Sequence, residues 1–134
     1  MLRYMLDTDI SIYIIKNRPQ GLRNTFNNRA GQLCVSAITA AELIHGAMKS
    51  SETDRNLRKV EDYLSRLDIL EFGEVAAAHY GDIRAALERQ GNIIGPNDLF
   101  IAAHSRCQAL ILVTNNVREF QRVEGLRIEN WLME

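Results

Sequence analysis

Four acidic or amide positions stand just past apolar runs. Asp7 follows Tyr4-Met5-Leu6, and Glu42 comes shortly after Leu33-Cys34-Val35. Asp98 opens an apolar stretch, and Asn115-Asn116 follow Leu110-Ile111-Leu112-Val113. If the runs are parallel strands, their carboxyl ends share one sheet edge, where open α/β folds bind ligands. Carboxylates gathered there without a basic partner repel one another and call for protons or a cation. Hard oxygen donors of this kind suit Mg2+ or Mn2+, and those ions serve phosphate chemistry.

Each residue also has a plainer role open to it. Asp7 stands at a strand-to-helix junction, where it, Thr8 or Asp9 can cap the helix. Thr39-x-x-Glu42 has the spacing of a capping box. Asp98 in a first helical turn complements the helix dipole, by up to ~1 kcal/mol, with Asn97 before it as the expected cap. Asparagines after a strand, such as Asn115 and Asn116, suit a turn. Glu119 adds a further carboxylate if a helix begins beside Asn116. The weight lies in the conjunction of acids at several strand ends on one edge.

The elements that must position these groups read as follows. Strands are expected over 3–6, 32–36, 67–72, 109–114 and 126–131. Helices are expected from Thr8 or Asp9 to Asn17, over 22–28, from Thr39 to about Ser50, and from Asp98 to Cys107. Leu57, Val60, Leu64 and Leu67 form one apolar helical stripe, and Ala76, Tyr80, Ile83 and Leu87 another. Alternating strands and helices predict an α/β fold, a central mainly parallel sheet flanked by helices in three layers. No repeat, low-complexity tract or linker interrupts the 134 residues, so residues 1–134 are expected to form one domain.

Composition narrows the function. Hydrophobic content of 46% and charged content of 25% are ordinary for a globular chain. No apolar run is long enough to span a bilayer, and Arg3 and Asp7 interrupt the amino terminus, so a cytoplasmic protein with no membrane association is expected. The net charge of −1 is unevenly spread. Through Arg29 there are five cations against two acids, and Arg3, Lys16, Arg18 and Arg23 are candidates for contacts to a phosphate backbone. Cys34 and Cys107 lie in apolar segments and read as buried thiols. His45, His79 and His104 have no zinc spacing, and no P-loop or Gly-x-Gly-x-x-Gly motif is present.

Four segments in order resemble one family: Met5-Leu6-Asp7-Thr8-Asp9, Ala41-Glu42-Leu43 with Gly46, Asn97-Asp98-Leu99-x-Ile101-Ala102-Ala103, and Val113-Thr114-Asn115-Asn116 with Arg118-Glu119-Phe120. Together they resemble PIN-domain ribonucleases of the VapC toxin type, in their enteric-like branch. The resemblance implies a Mg2+- or Mn2+-dependent endoribonuclease with Asp7, Glu42, Asp98 and Asn116 as the catalytic set. Asp7, Asp98 and Glu42 are the implied metal ligands, supported by Asp9, Thr114, Asn115 and Glu119. It implies a VapB-type antitoxin as partner, a homodimer, and initiator tRNA as the RNA substrate, cut in the anticodon stem-loop. DNA would be met only through the antitoxin complex. Two positions depart from the family pattern: Asn116 stands where aspartate is frequent, and Asp9 where asparagine is usual.

Two other readings compete. Leu6-Asp7-Thr8-Asp9 also resembles the Asp-x-Asp start of haloacid-dehalogenase-type phosphatases, which need a later lysine, and this chain has none after Lys59. The alternative is a non-catalytic, metal-stabilised module that binds RNA or a partner.

Overall fold

The structure is a computed structural model and describes residues 1–133. Five strands, β1 (Tyr4–Leu6), β2 (Leu33–Ser36), β3 (Asp68–Leu70), β4 (Ile111–Val113) and β5 (Arg127–Glu129), form one sheet in the order β3-β2-β1-β4-β5. Every pairing is parallel, with Met5 opposite Cys34 on one side and Leu112 on the other. All five expected strands are present; β1 and β2 start one residue later than expected, and the other three are shortened at both ends.

The alternation of side chains across the pleat splits the core in two. Tyr4, Leu6, Val35 and Val113 face one side, where Ile10 and Ile14 of α1 (Thr8–Lys16), Leu22 and Phe26 of α2 (Gly21–Asn28), and Val60 and Tyr63 of α4 (Thr53–Leu64) cover them. Met5, Cys34 and Leu112 face the other side, packed under α5 (Glu74–Arg89) and α6 (Pro96–Cys107) through Ile83, Leu87, Leu99 and Ile101. The central strands are buried on both faces, which is why they read as continuous apolar runs. Among the described residues no helix is long and apolar enough to cross a membrane.

Connectivity fixes where a ligand can sit. From β1 the chain steps outward to β2 and β3, then returns to the opposite side of β1 for β4 and β5. The direction reverses between β1 and β4, and in such sheets the crevice at that point, outside the carboxyl ends, takes the ligand. Asp7 N–H donates to the Val113 carbonyl at 3.0 Å, which ties the two strand ends together there.

Two helix starts differ from the sequence expectation. The helix carrying Glu42, α3 (Ala37–Met48), begins two residues earlier than expected, with Ser36 as its cap accepting from Ile38 N–H at 3.1 Å. Glu42 therefore stands in the second turn and forms no capping box. Helix α6 begins at Pro96 behind Gly95, so Asn97 is inside the first turn and does not cap it. Proline at the first helical position has no N–H to leave unpaired, and this start outcompetes the asparagine.

Candidate active site

Asp7 caps α1. Its Oδ1 accepts from Ile10 N–H at 2.8 Å, and Thr114 at the end of β4 supplies a second hydrogen bond. Asp7 is only 3% exposed. Burial pushes its pKa up to about 7 against those two hydrogen bonds, and the charges of Asp9 and Glu42 push the same way. Behind it, Ser11 Oγ donates to the Asp7 carbonyl at 2.8 Å, and Tyr63 Oη donates to Ser11 Oγ at 2.7 Å. The backbone of the strand-to-helix junction is thereby pinned from α4.

Glu42 reaches the same place from α3. Its Oε1 accepts from Thr8 Oγ1 at 2.5 Å, and its Oε2 from Asn97 Nδ2 at 2.9 Å. One carboxylate thus links the first turns of α1 and α6. Asp98, also on α6, is half-buried and its pKa is raised to about 8. Burial is the main cause, followed by a hydrogen bond shared with Glu119 and the charges of Glu119, Asp7 and Asp9. Asn116 precedes α7 (Val117–Phe120), donates its Nδ2 to Glu119 Oε2 at 2.5 Å, and donates its backbone N–H to Thr114 Oγ1 at 2.8 Å.

Asp7, Thr8, Asp9, Glu42, Gly95, Pro96, Asn97 and Asp98 line a single cleft of about 310 Å³. The Asp98 carboxylate packs against the backbone at Gly95, where a Cβ would make only an ordinary contact, 3.4 Å from Oδ2. Of the expected site residues, Asp7, Asp9, Glu42, Asp98, Asn116, Glu119 and Thr114 are brought together. Asn115 is not: it is exposed, and its Oδ1 accepts from Asn130 at 3.3 Å. Arg3 precedes β1 at the opposite edge of the sheet, roughly 13 Å of strand from Asp7, with its guanidinium 5.5 Å from the Tyr4 ring centre. Lys16 and Arg18 lie at and beyond the far end of α1, and Arg23 donates to the Ile14 and Ile15 carbonyls there. Sequence reasoning gave no site role to Thr8 or Asn97, the two donors that hold Glu42. Their signal was present, as each is a polar neighbour of a candidate acid at a helix start.

None of the ion pairs among the described residues involves Asp7, Asp9, Glu42, Asp98 or Glu119. A buried carboxyl and a half-buried one that must hold protons up to about pH 7 and 8 describe a site that lacks positive charge, and the donors are all hard oxygens. A divalent cation fits that need. Among the described residues no three acidic, imidazole or thiol groups already converge into a closed coordination sphere. Thr8 and Asn97 hold the Glu42 carboxylate in the cleft lining, and Asn116 holds Glu119 beside Asp98.

Residues 4–126 match the PIN domain family. The chain belongs to the PIN-domain family. It is 56% identical over 132 residues to a Haemophilus influenzae protein named ribonuclease VapC2, a match covering 98% of this chain and 100% of the relative. It is 52% identical over 131 residues to a Shigella flexneri tRNA(fMet)-specific endonuclease VapC, covering 98% of this chain and 99% of that one. Among solved structures, a chain of the DNA-bound VapBC structure from Salmonella typhimurium superposes with a TM-score of 0.95 at 49% identity, over 98% of this chain and 99% of its own. These likenesses place the chain in the VapC ribonuclease branch of the PIN family and leave the haloacid-dehalogenase reading without support.

Proposed function

We propose that this PIN-domain chain is the toxin of a VapBC-type toxin–antitoxin pair, a Mg2+- or Mn2+-dependent endoribonuclease acting in the cytoplasm on initiator tRNA. The observation that carries the reading is the gathering of Asp7, Glu42 and Asp98, far apart in sequence, into one cleft at the β1/β4 reversal with no ion-pair partner among the described residues. The names of the Shigella relative and the Salmonella complex support the substrate and the antitoxin partner.

A divalent ion bound in the cleft would supply positive charge to a phosphoryl oxygen and ease the deprotonation of water. Asp7 and Asp98 would hold it, in their deprotonated forms. Glu42 either shares in holding it or accepts the hydrogen bond that orients the attacking water, and Thr8 and Asn97 fix that carboxylate in the cleft. Thr114 holds Asp7 in place, and Asn116 holds Glu119 next to Asp98. Groups that orient ligands in this way commonly alter metal affinity 10–100-fold when removed. In this reading the nucleophile is water and not the ribose hydroxyl, so hydrolysis leaves a 5′-phosphate.

Purified chain incubated with initiator tRNA transcript and Mg2+ tests the reading. Asp7→Asn and Asp98→Asn are each expected to lose at least about 100-fold in cleavage rate, the scale on which a charge stabiliser contributes. Wild-type rates in either variant would remove it from the site.

A further inference from the structure

One buried ionisable side chain has no part in the chemistry above. His104 lies in the last turn of α6 and is wholly buried. Its Nδ1 is 2.8 Å from Ser36 Oγ, and the Phe72 ring stands edge-on to it, with 5.4 Å between ring centres. Nε2 has no hydrogen-bond partner among the described residues. A leucine or phenylalanine would occupy this place with no nitrogen to leave unpaired, and an unpaired interior polar atom destabilises a fold. What the imidazole adds is the bond to Ser36. Its direction follows from the hydroxyl. Ser36 Oγ accepts from Ile38 N–H at 3.1 Å, which caps α3. The hydrogen of that hydroxyl then has one acceptor among the described residues, His104 Nδ1, and the ring proton sits on Nε2. Burial pushes the imidazole pKa down, the backbone of Glu71 countering in part, so the ring is neutral and able to accept at pH 7.

We infer that His104 is a positioning residue of the acidic cleft: through Ser36 it fixes α3 against α6, and so fixes where Glu42 meets Asn97 and Asp98. That the cleft holds a metal rests on the nuclease reading. Ser36 precedes Glu42 by six residues, about 9 Å along α3, and Asn97 precedes His104 by seven, about 10.5 Å along α6. Ser36 meets His104, and Glu42 meets Asn97 at 2.9 Å. The two helices therefore pass in opposite directions and are laced by one side-chain bond at each end of matching spans. A single bond at the cleft would leave α3 free to turn about its axis, and a slip of one residue carries a side chain about 100° round a helix. The second bond removes that freedom. Without the Nδ1 acceptor the Ser36 hydroxyl has no fixed orientation, and the cap on Ile38 N–H loosens with it. His104 and Asp98 share α6, so the anchor and one of the cleft's acids belong to one rigid element.

The test uses the full-length chain. In the 15N-labelled wild type, imidazole 1H–15N correlations should show His104 protonated on Nε2 with Nδ1 accepting a hydrogen bond; a proton on Nδ1 overturns the inference without any substitution. His104→Leu removes the acceptor. In EDTA it should shift the side-chain amide signals of Asn97, and by calorimetry it should weaken Mn2+ binding about 10–100-fold. His104→Asn sets Oδ1 where Nδ1 stands and should restore most of both. His104→Gln, whose amide reaches the Nε2 side, should not. Ser36→Ala should reproduce the loss, and adding His104→Leu to it should change little more, because the two residues act as one unit. Mn2+ affinity and Asn97 signals unchanged in a folded His104→Leu variant overturn the inference. So do losses that add in the double variant, or losses that follow the unfolding midpoint of each variant with no rescue by His104→Asn. Failure of the wild type to bind Mn2+ or cleave RNA, with the Asn97 signals still following residue 104, refutes the nuclease and leaves the positioning in place.

Discussion

Replacing Asp7 by asparagine should stabilise the metal-free protein near neutral pH while abolishing its activity. The folded carboxyl titrates at about 7, against an ordinary value of 3.8. The folded state therefore binds the extra proton between those values, and the contribution of this group is fully present below pH 3.8 and lost as pH rises through 7. Roughly three pKa units at 1.36 kcal/mol each amount to about 4 kcal/mol lost by pH 8. Asparagine removes the buried charge and keeps the geometry. Its oxygen can cap Ile10 N–H as well as aspartate does, and its amide can donate to Thr114. Losing a negative charge at the start of α1 gives back up to ~1 kcal/mol. The net expectation is a gain of about 3 kcal/mol at pH 8, nearly vanishing at pH 4.5. Urea unfolding of both proteins in EDTA at the two pH values measures it. An Asp7→Asn variant no more stable than wild type at pH 8 would refute the claim that burial of this charge is uncompensated.

Three further outcomes follow from the same geometry. Affinity for Mn2+ should rise as pH goes from 6 to 8.5, with proton release, because Asp7 and Asp98 must shed protons held up to about pH 7 and 8; calorimetry in buffers of different ionisation heat detects it. Asn116→Asp should place a second carboxylate against Glu119, lowering metal-free stability at pH 8 by about 1–3 kcal/mol and tightening Mn2+ binding, both measurable on one preparation. Thr8→Val removes the hydroxyl that holds Glu42 and should cost about 10–100-fold in metal affinity with little change in stability, whereas Tyr63→Phe, which frees only Ser11, should cost about 1–2 kcal/mol of stability and leave metal affinity within twofold.

The sheet was legible because its inner strands are buried on both faces. Tyr4-Met5-Leu6 and Ile111-Leu112-Val113 carry no polar residue, and an apolar run bounded by turn residues has few other readings. Placing acids beyond those runs then followed from the parallel topology. Helix starts were less legible, because several residues compete for one cap. Ser36 and Gly95-Pro96 won over Thr39 and Asn97, and that choice, made by the strand-end geometry, moved Glu42 out of a capping role and Asn97 into contact with it. Asp7 shows the converse: it caps its helix and lines the cleft at once, so a structural role and a functional one were never exclusive.

Diffraction from crystals grown with Mn2+ tests the central claim most directly, because anomalous scattering locates the ion without assumptions about its ligands. The account predicts a peak in the cleft within about 2.1 Å of carboxylate oxygens of Asp7 and Asp98, with Glu42 turned toward it. No peak there at millimolar Mn2+, or a site confined to other residues, would contradict it.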